Sequence, residues 1–250
     1  MNEEYIVGRN PVLETLRSGR SINKIWIADG SQKGSITQVV KMAKEAKIQL
    51  QFVPKKKLDM TAKGEAHQGV IAFVAAYTYA EVDDILNIAK QRDEQPFILI
   101  LDEIEDPHNL GSIMRTADAV GAHGIIIPRR RAVGLTSTVA KAAAGAMEYI
   151  PVARVTNIAR TIEELKEQGV WFVGADAAGE QDYREAKFDM PIGLVIGSEG
   201  KGVSRLVKDN CDFLVRLPMA GQVTSLNASV AGALLMFEVY RQRRPIHASV

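Results

Sequence analysis

A chain of 250 residues, 46% hydrophobic and 24% charged, is long enough for one or two domains with a buried core, which excludes a disordered or fibrous protein. No apolar run approaches the roughly 18 residues that cross a bilayer, and the start Met1-Asn2-Glu3-Glu4 is acidic where a secretory signal is basic, so a cytoplasmic protein is expected. Cys211 is the only cysteine, which excludes a disulfide framework and a Cys-based zinc site, and four scattered histidines (His67, His108, His123, His247) do not restore a metal site. The net charge is only +1, yet residues 1–77 hold 12 Lys/Arg against 7 Asp/Glu and the remainder holds 19 against 23. The positive field therefore sits in the first third, with Lys55-Lys56-Lys57, as in a module that binds a polyanion; a solvated lysine-rich face is the plainer alternative.

In chain order, Asn10-Pro11 reads as a helix N-cap followed by Pro at the first helical position, opening a short helix to about Ser18-Gly19. A strand at 24–28, a helix at 36–46, a strand at 50–53, a short basic helix near Lys55–Met60 and a strand at 69–74 complete a small α/β unit. Residues 78–95 are expected to be a linker that runs into a helix with Glu81, Asp83 and Asp84 early and Lys90 and Arg92 late, the polarity the helix dipole favours. A second α/β unit, 96–250, opens on "PFILIL", the continuous apolar run of a strand buried on both faces of a parallel sheet. Further strands are expected at 124–127, 170–175, 192–196 and 213–217, separated by helical patterns.

Three loops of the second unit follow strands and precede helices, where open parallel sheets gather ligands. In the first, Asp106-Pro107 is a turn signal and Asn109 a natural N-cap for a helix from Leu110 to about Val120, with Arg115 aimed at the loop mouth. The second, "LVIGSEGKGVS" from Leu194, has a glycine-rich look but fails as a phosphate loop: Val195 stands where Walker A needs its first glycine, Gly202 where it needs Ser/Thr, and Glu199 lies in the middle. What remains is a tight turn with exposed backbone and one carboxylate, suited to a cationic or hydroxyl-rich ligand. The third runs from Pro218 to Asn227 and offers several N-caps to a helix with a small face, Ala228, Ala231 and Gly232, and a basic end.

The stretches "NLGSIMRTADAVG", "LVIGSEGKGVS" and "LPMAGQVTSLNASVAGALLMFE", in that order, resemble the SpoU/TrmH-type RNA ribose 2′-O-methyltransferases of the SPOUT superfamily, and residues 1–77 resemble the ribosomal-protein-like RNA-binding domain of its RlmB-like branch. The resemblance implies a SPOUT-type parallel sheet with a C-terminal trefoil knot, a homodimer, S-adenosyl-L-methionine as methyl donor, no metal, and as substrate the ribose 2′-hydroxyl of a guanosine in the peptidyl-transferase centre of 23S rRNA. Carried over by motif, the cofactor pocket falls on Gly197, Leu217, Met219, Ser225 and Leu226, and the transfer site on Asn109, Arg115, Glu199 and Asn227. A tRNA ribose methyltransferase and a non-catalytic ribosome-assembly factor stay open as alternatives.

Overall fold

The computed structural model describes residues 4–18, 22–30, 34–74, 77–222 and 225–244. Along the chain run β1 (Glu4–Val7), α1 (Arg9–Arg17), β2 (Ile22–Ala28), α2 (Ser35–Glu45), β3 (Gln49–Val53), α3 (Lys55–Ala62), β4 (Val70–Val74), α4 (Val82–Gln91), β5 (Phe97–Asp102), α5 (Pro107–Ala119) and β6 (Gly124–Pro128). Then follow α6 (Ser137–Ala143), a 3-10 turn (Ala146–Glu148), β7 (Val152–Val155), α7 (Ile158–Lys166), β8 (Trp171–Ala175), β9 (Gln181–Asp182), β10 (Ile192–Gly197), α8 (Arg205–Asn210), β11 (Phe213–Arg216) and α9 (Ala228–Arg243). Contacts divide them into two compact units, Met1–Thr78 with Leu135–Tyr149 and Tyr79–Gly134 with Ile150–Val250.

The first unit is a four-stranded sheet in the order β1-β4-β2-β3, in which only β2 and β3 run parallel. β4 carries apolar residues on both faces, as its unbroken run requires. Val70, Ala72 and Val74 pack with Val12, Ile36 and Val39 of α1 and α2, while Ile71 and Phe73 pack with Leu58 and Ala62 of α3. Helix α1 starts earlier than the Asn10-Pro11 signal: Gly8, at φ 102°, is the N-cap and Pro11 the third helical residue. Proline is tolerated there because first-turn N–H groups have no helical acceptor. The sequence reading missed β1, four residues too short for a period, and also the return of 135–149 to this unit. That return is fixed by Gly145, whose α-carbon lies against Glu14, and by Glu148, which accepts hydrogen bonds from Tyr77 Oη at 3.0 Å and Ser18 Oγ at 3.3 Å.

The second unit is a seven-stranded, wholly parallel sheet in the order β7-β6-β5-β10-β8-β11-β9. Most of "PFILIL" forms an interior strand, β5, between β6 and β10 and buried throughout. Residues expected as linker include α4, which is part of this unit: Ile85 and Ala89 are buried, and a Cβ at Gly124 would meet Ile85 atoms at 2.6–2.8 Å. Its start is closed by the Asp84 carboxylate, which accepts from Glu81 N–H at 2.9 Å. β10 lies between β5 and β8 with Gly197 in register with Asp102, so the loops after β5 and β10 leave the sheet side by side.

Candidate active site

The turn after β10 is closed by its own backbone. Ser198 N–H donates to Gly202 O at 3.1 Å and Gly202 N–H to Ser198 O at 2.9 Å. Gly200 and Gly202 take φ of 81° and 67°, which L side chains rarely adopt. A Cβ on Gly197 would stand 2.0 Å from Gly202 C and 2.2 Å from Val203 N, so the strand can meet the returning chain only through a glycine. These two bonds close the turn on itself and leave Glu199 at its tip. Buried Asp102 pins the exit by accepting from Ser204 N–H at 2.7 Å.

Three of the four expected transfer-site residues meet. Asn227 is the N-cap of α9, and its Oδ1 accepts from Ser229 N–H at 2.9 Å and Val230 N–H at 3.2 Å. That fixes the amide, so Nδ2 faces inward and donates to Asn109 Oδ1 at 2.9 Å and to Glu199 Oε1. Asn109 in turn donates from Nδ2 to Glu199 Oε1 at 2.9 Å. Ala228 N–H, in the first turn of α9, approaches the same oxygen at 3.4 Å, where the helix dipole favours a carboxylate. Glu199 Oε2 accepts no hydrogen bond among the described residues and is available to a ligand.

Two details differ from the sequence reading. Asn109 is not the N-cap of α5: Asp106 caps it by accepting from His108 N–H at 3.0 Å, Pro107 takes the first position, and Asn109 lies buried within the first turn, free to bond across to Glu199. Arg115 is the ninth of the 13 residues of α5, two turns beyond that loop. It is exposed, lines neither cavity described below, and has no hydrogen bond or ion pair among the described residues.

A cavity of about 410 Å³ opens beside the trio. All five residues expected to hold a cofactor, Gly197, Leu217, Met219, Ser225 and Leu226, line it. So do two that the sequence reading missed: Asp176, the first residue after β8, and Lys208 of α8, which form an ion pair. Burial raises the Asp176 carboxyl, but hydrogen bonds from Lys208 and the Ala178 amide, with the Lys208 charge, outweigh it and hold the group below the usual carboxylate range. These residues lie 32 positions apart in no recognisable motif, and only the sheet order unites them. A second cavity, of about 270 Å³, is lined by Glu103, Asp106 and Asn109 and shares Ser198, Glu199 and Lys201 with the first. Glu199 therefore faces both. Cys211 is no nucleophile, since burial, with the nearby Asp212 charge, pushes its thiol up to about 12. Among the described residues no cluster of His, Cys, Asp and Glu could hold a metal ion, and no helix is long and apolar enough to cross a membrane.

The family model described as SpoU rRNA Methylase matches residues 96–237. This chain belongs to the SpoU methylase family. A second model, RNA 2′-O ribose methyltransferase substrate binding, matches residues 5–80. Among relatives, a Bacillus subtilis protein named for the TrmH family of tRNA/rRNA methyltransferases, YacO, is 63% identical over 243 residues, 97% of each chain. The solved SpoU methyltransferase AviRb of Streptomyces viridochromogenes, in complex with AdoMet, superposes with a TM-score of 0.79 at 24% identity over 96% of this chain and 90% of that one, a likeness of fold. The AdoMet-bound rRNA methyltransferase of Sinorhizobium meliloti superposes with a TM-score of 0.76 at 28% identity over 96% and 87%.

The SpoU family uses S-adenosylmethionine as methyl donor, and the residues present here fit that group. The cavity is of small-molecule size, Gly197 leaves its backbone bare, Ile196, Val215, Leu217 and Leu226 give apolar wall to a purine, and Glu199 and Asp176 supply negative charge. When bound, the cofactor supplies an electrophilic methyl group carried on a sulfonium. The chain's own part is to orient and desolvate: the amide sequence from α9 through Asn227 and Asn109 holds Glu199 in one rotamer between the two cavities.

Proposed function

We propose that this SpoU enzyme methylates the ribose 2′-hydroxyl of a guanosine in the peptidyl-transferase centre of 23S rRNA, in the bacterial cytoplasm and as a homodimer. The observation that carries the proposal is the hydrogen-bonded trio Asn109–Glu199–Asn227, with Glu199 Oε2 available at the junction of the two cavities. In this reading the larger cavity takes the cofactor and the smaller one the ribose. Glu199 Oε2 accepts from the ribose hydroxyl and fixes its angle. The arginine side chain is too weak an acid to serve readily as base, so Arg115, which is exposed and lines neither cavity, is assigned to the phosphate next to that ribose. An Arg115→Lys enzyme with near wild-type turnover would sink that assignment.

The first unit is assigned to RNA binding. Arg9, Ser35 and Lys55, each the first residue of a helix, line one polar groove with Gln68. Their N-caps are Gly8, Gly34 and Pro54, none of which caps through a side chain. Arg9 and Lys55 are the cations that would meet backbone phosphates there, with Asp59 and Glu65 on the same wall. For the dimer, α9 supports the reading: beyond its buried face it carries Val230, Leu234, Phe237 and Tyr240 exposed along one stripe. The trefoil crossing is supported by β10, which follows β8 in the chain yet lies between β5 and β8 in the sheet.

Mapping of ribose methylation across rRNA from cells with and without the protein tests the target, with methyl incorporation into isolated 23S rRNA and tRNA alongside. Loss of one guanosine 2′-O-methyl mark in 23S rRNA is expected. Incorporation into tRNA alone would replace the rRNA assignment, and no incorporation into either would favour a binding factor.

A further inference from the structure

The cavity wall holds one charged pair that the transfer trio does not use. Lys208 reaches back from α8 to Asp176 Oδ2, while Asp176 Oδ1 accepts from Ala178 N–H at 2.9 Å. The pair is largely withdrawn from water, with side chains 30% and 11% exposed. It also abuts the glycine turn, since a Cβ on Gly202 would stand 3.7 Å from Asp176 Oδ2. Withdrawing two charges from water costs so much that an apolar pair of like volume is often as stable or more so. Fold stability therefore gives little reason to keep an ion pair in this wall.

Both partners keep hydrogen-bonding capacity while paired. An ammonium has three donors and a carboxylate about four acceptor sites. Lys208 uses one donor on Asp176, and Asp176 uses one acceptor site on each oxygen. Of the other charged wall residues, Glu199 is committed to the trio, and Lys201 is exposed and has no ion pair among the described residues. An S-adenosyl cofactor has a neutral nucleoside arm and an amino-acid arm that carries an ammonium and a carboxylate close together. A cation beside an anion is complementary to that zwitterion and to no part of the nucleoside.

We propose that Lys208 and Asp176 form the positioning site for the amino-acid arm of the cofactor, Lys208 donating to its carboxylate and Asp176 accepting from its ammonium. The pair stays intact and four charges close into an alternating ring, so no net charge is left buried. This rests on the reading of the cavity as the S-adenosylmethionine pocket.

Titration calorimetry on the full chain separates the two arms, using S-adenosylhomocysteine, which carries the amino-acid arm, and 5′-methylthioadenosine, which lacks it. Wild-type protein is expected to bind the first more tightly by about ten- to a hundredfold, the range for charge-assisted hydrogen bonds. Lys208→Met and Asp176→Asn are each expected to weaken S-adenosylhomocysteine by tenfold or more and to leave methylthioadenosine within about twofold. Equal weakening of both ligands, or of neither, overturns the proposal. Should the variants fail to fold, wild-type protein decides with S-adenosylhomocysteine and its decarboxylated analogue: equal affinities overturn the proposal and a tenfold loss supports it. Failure of wild type to bind any of these ligands overturns the cofactor reading, and the arm assignment with it.

Discussion

Asn227 does two jobs with the two ends of one amide, and they can be separated. Its oxygen caps α9 and its nitrogen holds Asn109 and Glu199. Asn227→Asp keeps a capping oxygen but loses the inward donor and sets a second carboxylate against Glu199. Stability is expected to stay within about 1 kcal/mol, while turnover falls by about a hundredfold, the order seen when one positioned donor is removed. Thermal melts and single-turnover methylation measure the two effects; unchanged turnover would remove the trio from the mechanism. The capping pattern of "TSLN" was legible in the sequence, but the inward half of the amide was not, because Asn109, Glu199 and Asn227 come from three distant loops.

At the scale of elements, the turn after β10 and the end of α9 each depend on a feature that composition conceals. Gly197 has an ordinary extended conformation, yet its α-carbon touches Gly202 and Val203 backbone. Gly197→Ala is expected to cost more than about 2 kcal/mol, as overpacking does where backbone cannot yield, and to abolish S-adenosylhomocysteine binding; denaturant melts and calorimetry check this. The basic finish of α9 reads in sequence as dipole compensation, but Arg243 is turned inward. It donates to Met190 O at 2.6 Å, Gln95 O at 2.8 Å, Pro96 O at 2.9 Å and Phe188 O at 3.2 Å, tying the starts of β5 and β10 together. Arg243→Met leaves those carbonyls without this donor and is expected to destabilise by about 3 kcal/mol. Arg160, whose ion pair with Glu164 on its own helix is exposed at both ends, serves as the control, since Arg160→Met is expected to cost under about 1 kcal/mol.

For the whole molecule, stability should depend on pH through His123. Its ring is buried; Nδ1 accepts from Phe97 N–H at 2.9 Å and Nε2 lies 3.0 Å from Glu94. Burial lowers its pKa below the ordinary 6.5, against the raising effect of Glu94 and with Arg92 and Arg243 assisting. The unfolded chain therefore takes up the proton first as pH falls. Stability is complete above about 6.5 and is lost below it. A melting temperature that drops between pH 7.5 and 5.5 in wild type, and drops less in His123→Asn, is expected; parallel curves would acquit His123.

The sequence alone determined the two α/β units, the buried parallel strand read at 96–101 and found at 97–102, and the loops that surround the cavities, since hydrophobic period and turn chemistry are local properties. It also picked out five residues that line one cavity, Gly197, Leu217, Met219, Ser225 and Leu226, because their motifs are contiguous. Tertiary structure decided what no window of sequence contains: that 135–149 rejoins the first unit, that α4 belongs to the second, that Asp106 rather than Asn109 caps α5, and that Asp176 and Lys208 share a wall with Glu199. In each case the deciding contact joins segments far apart in the chain, and its energy comes from burial and hydrogen bonds that exist only once the strands have taken their order.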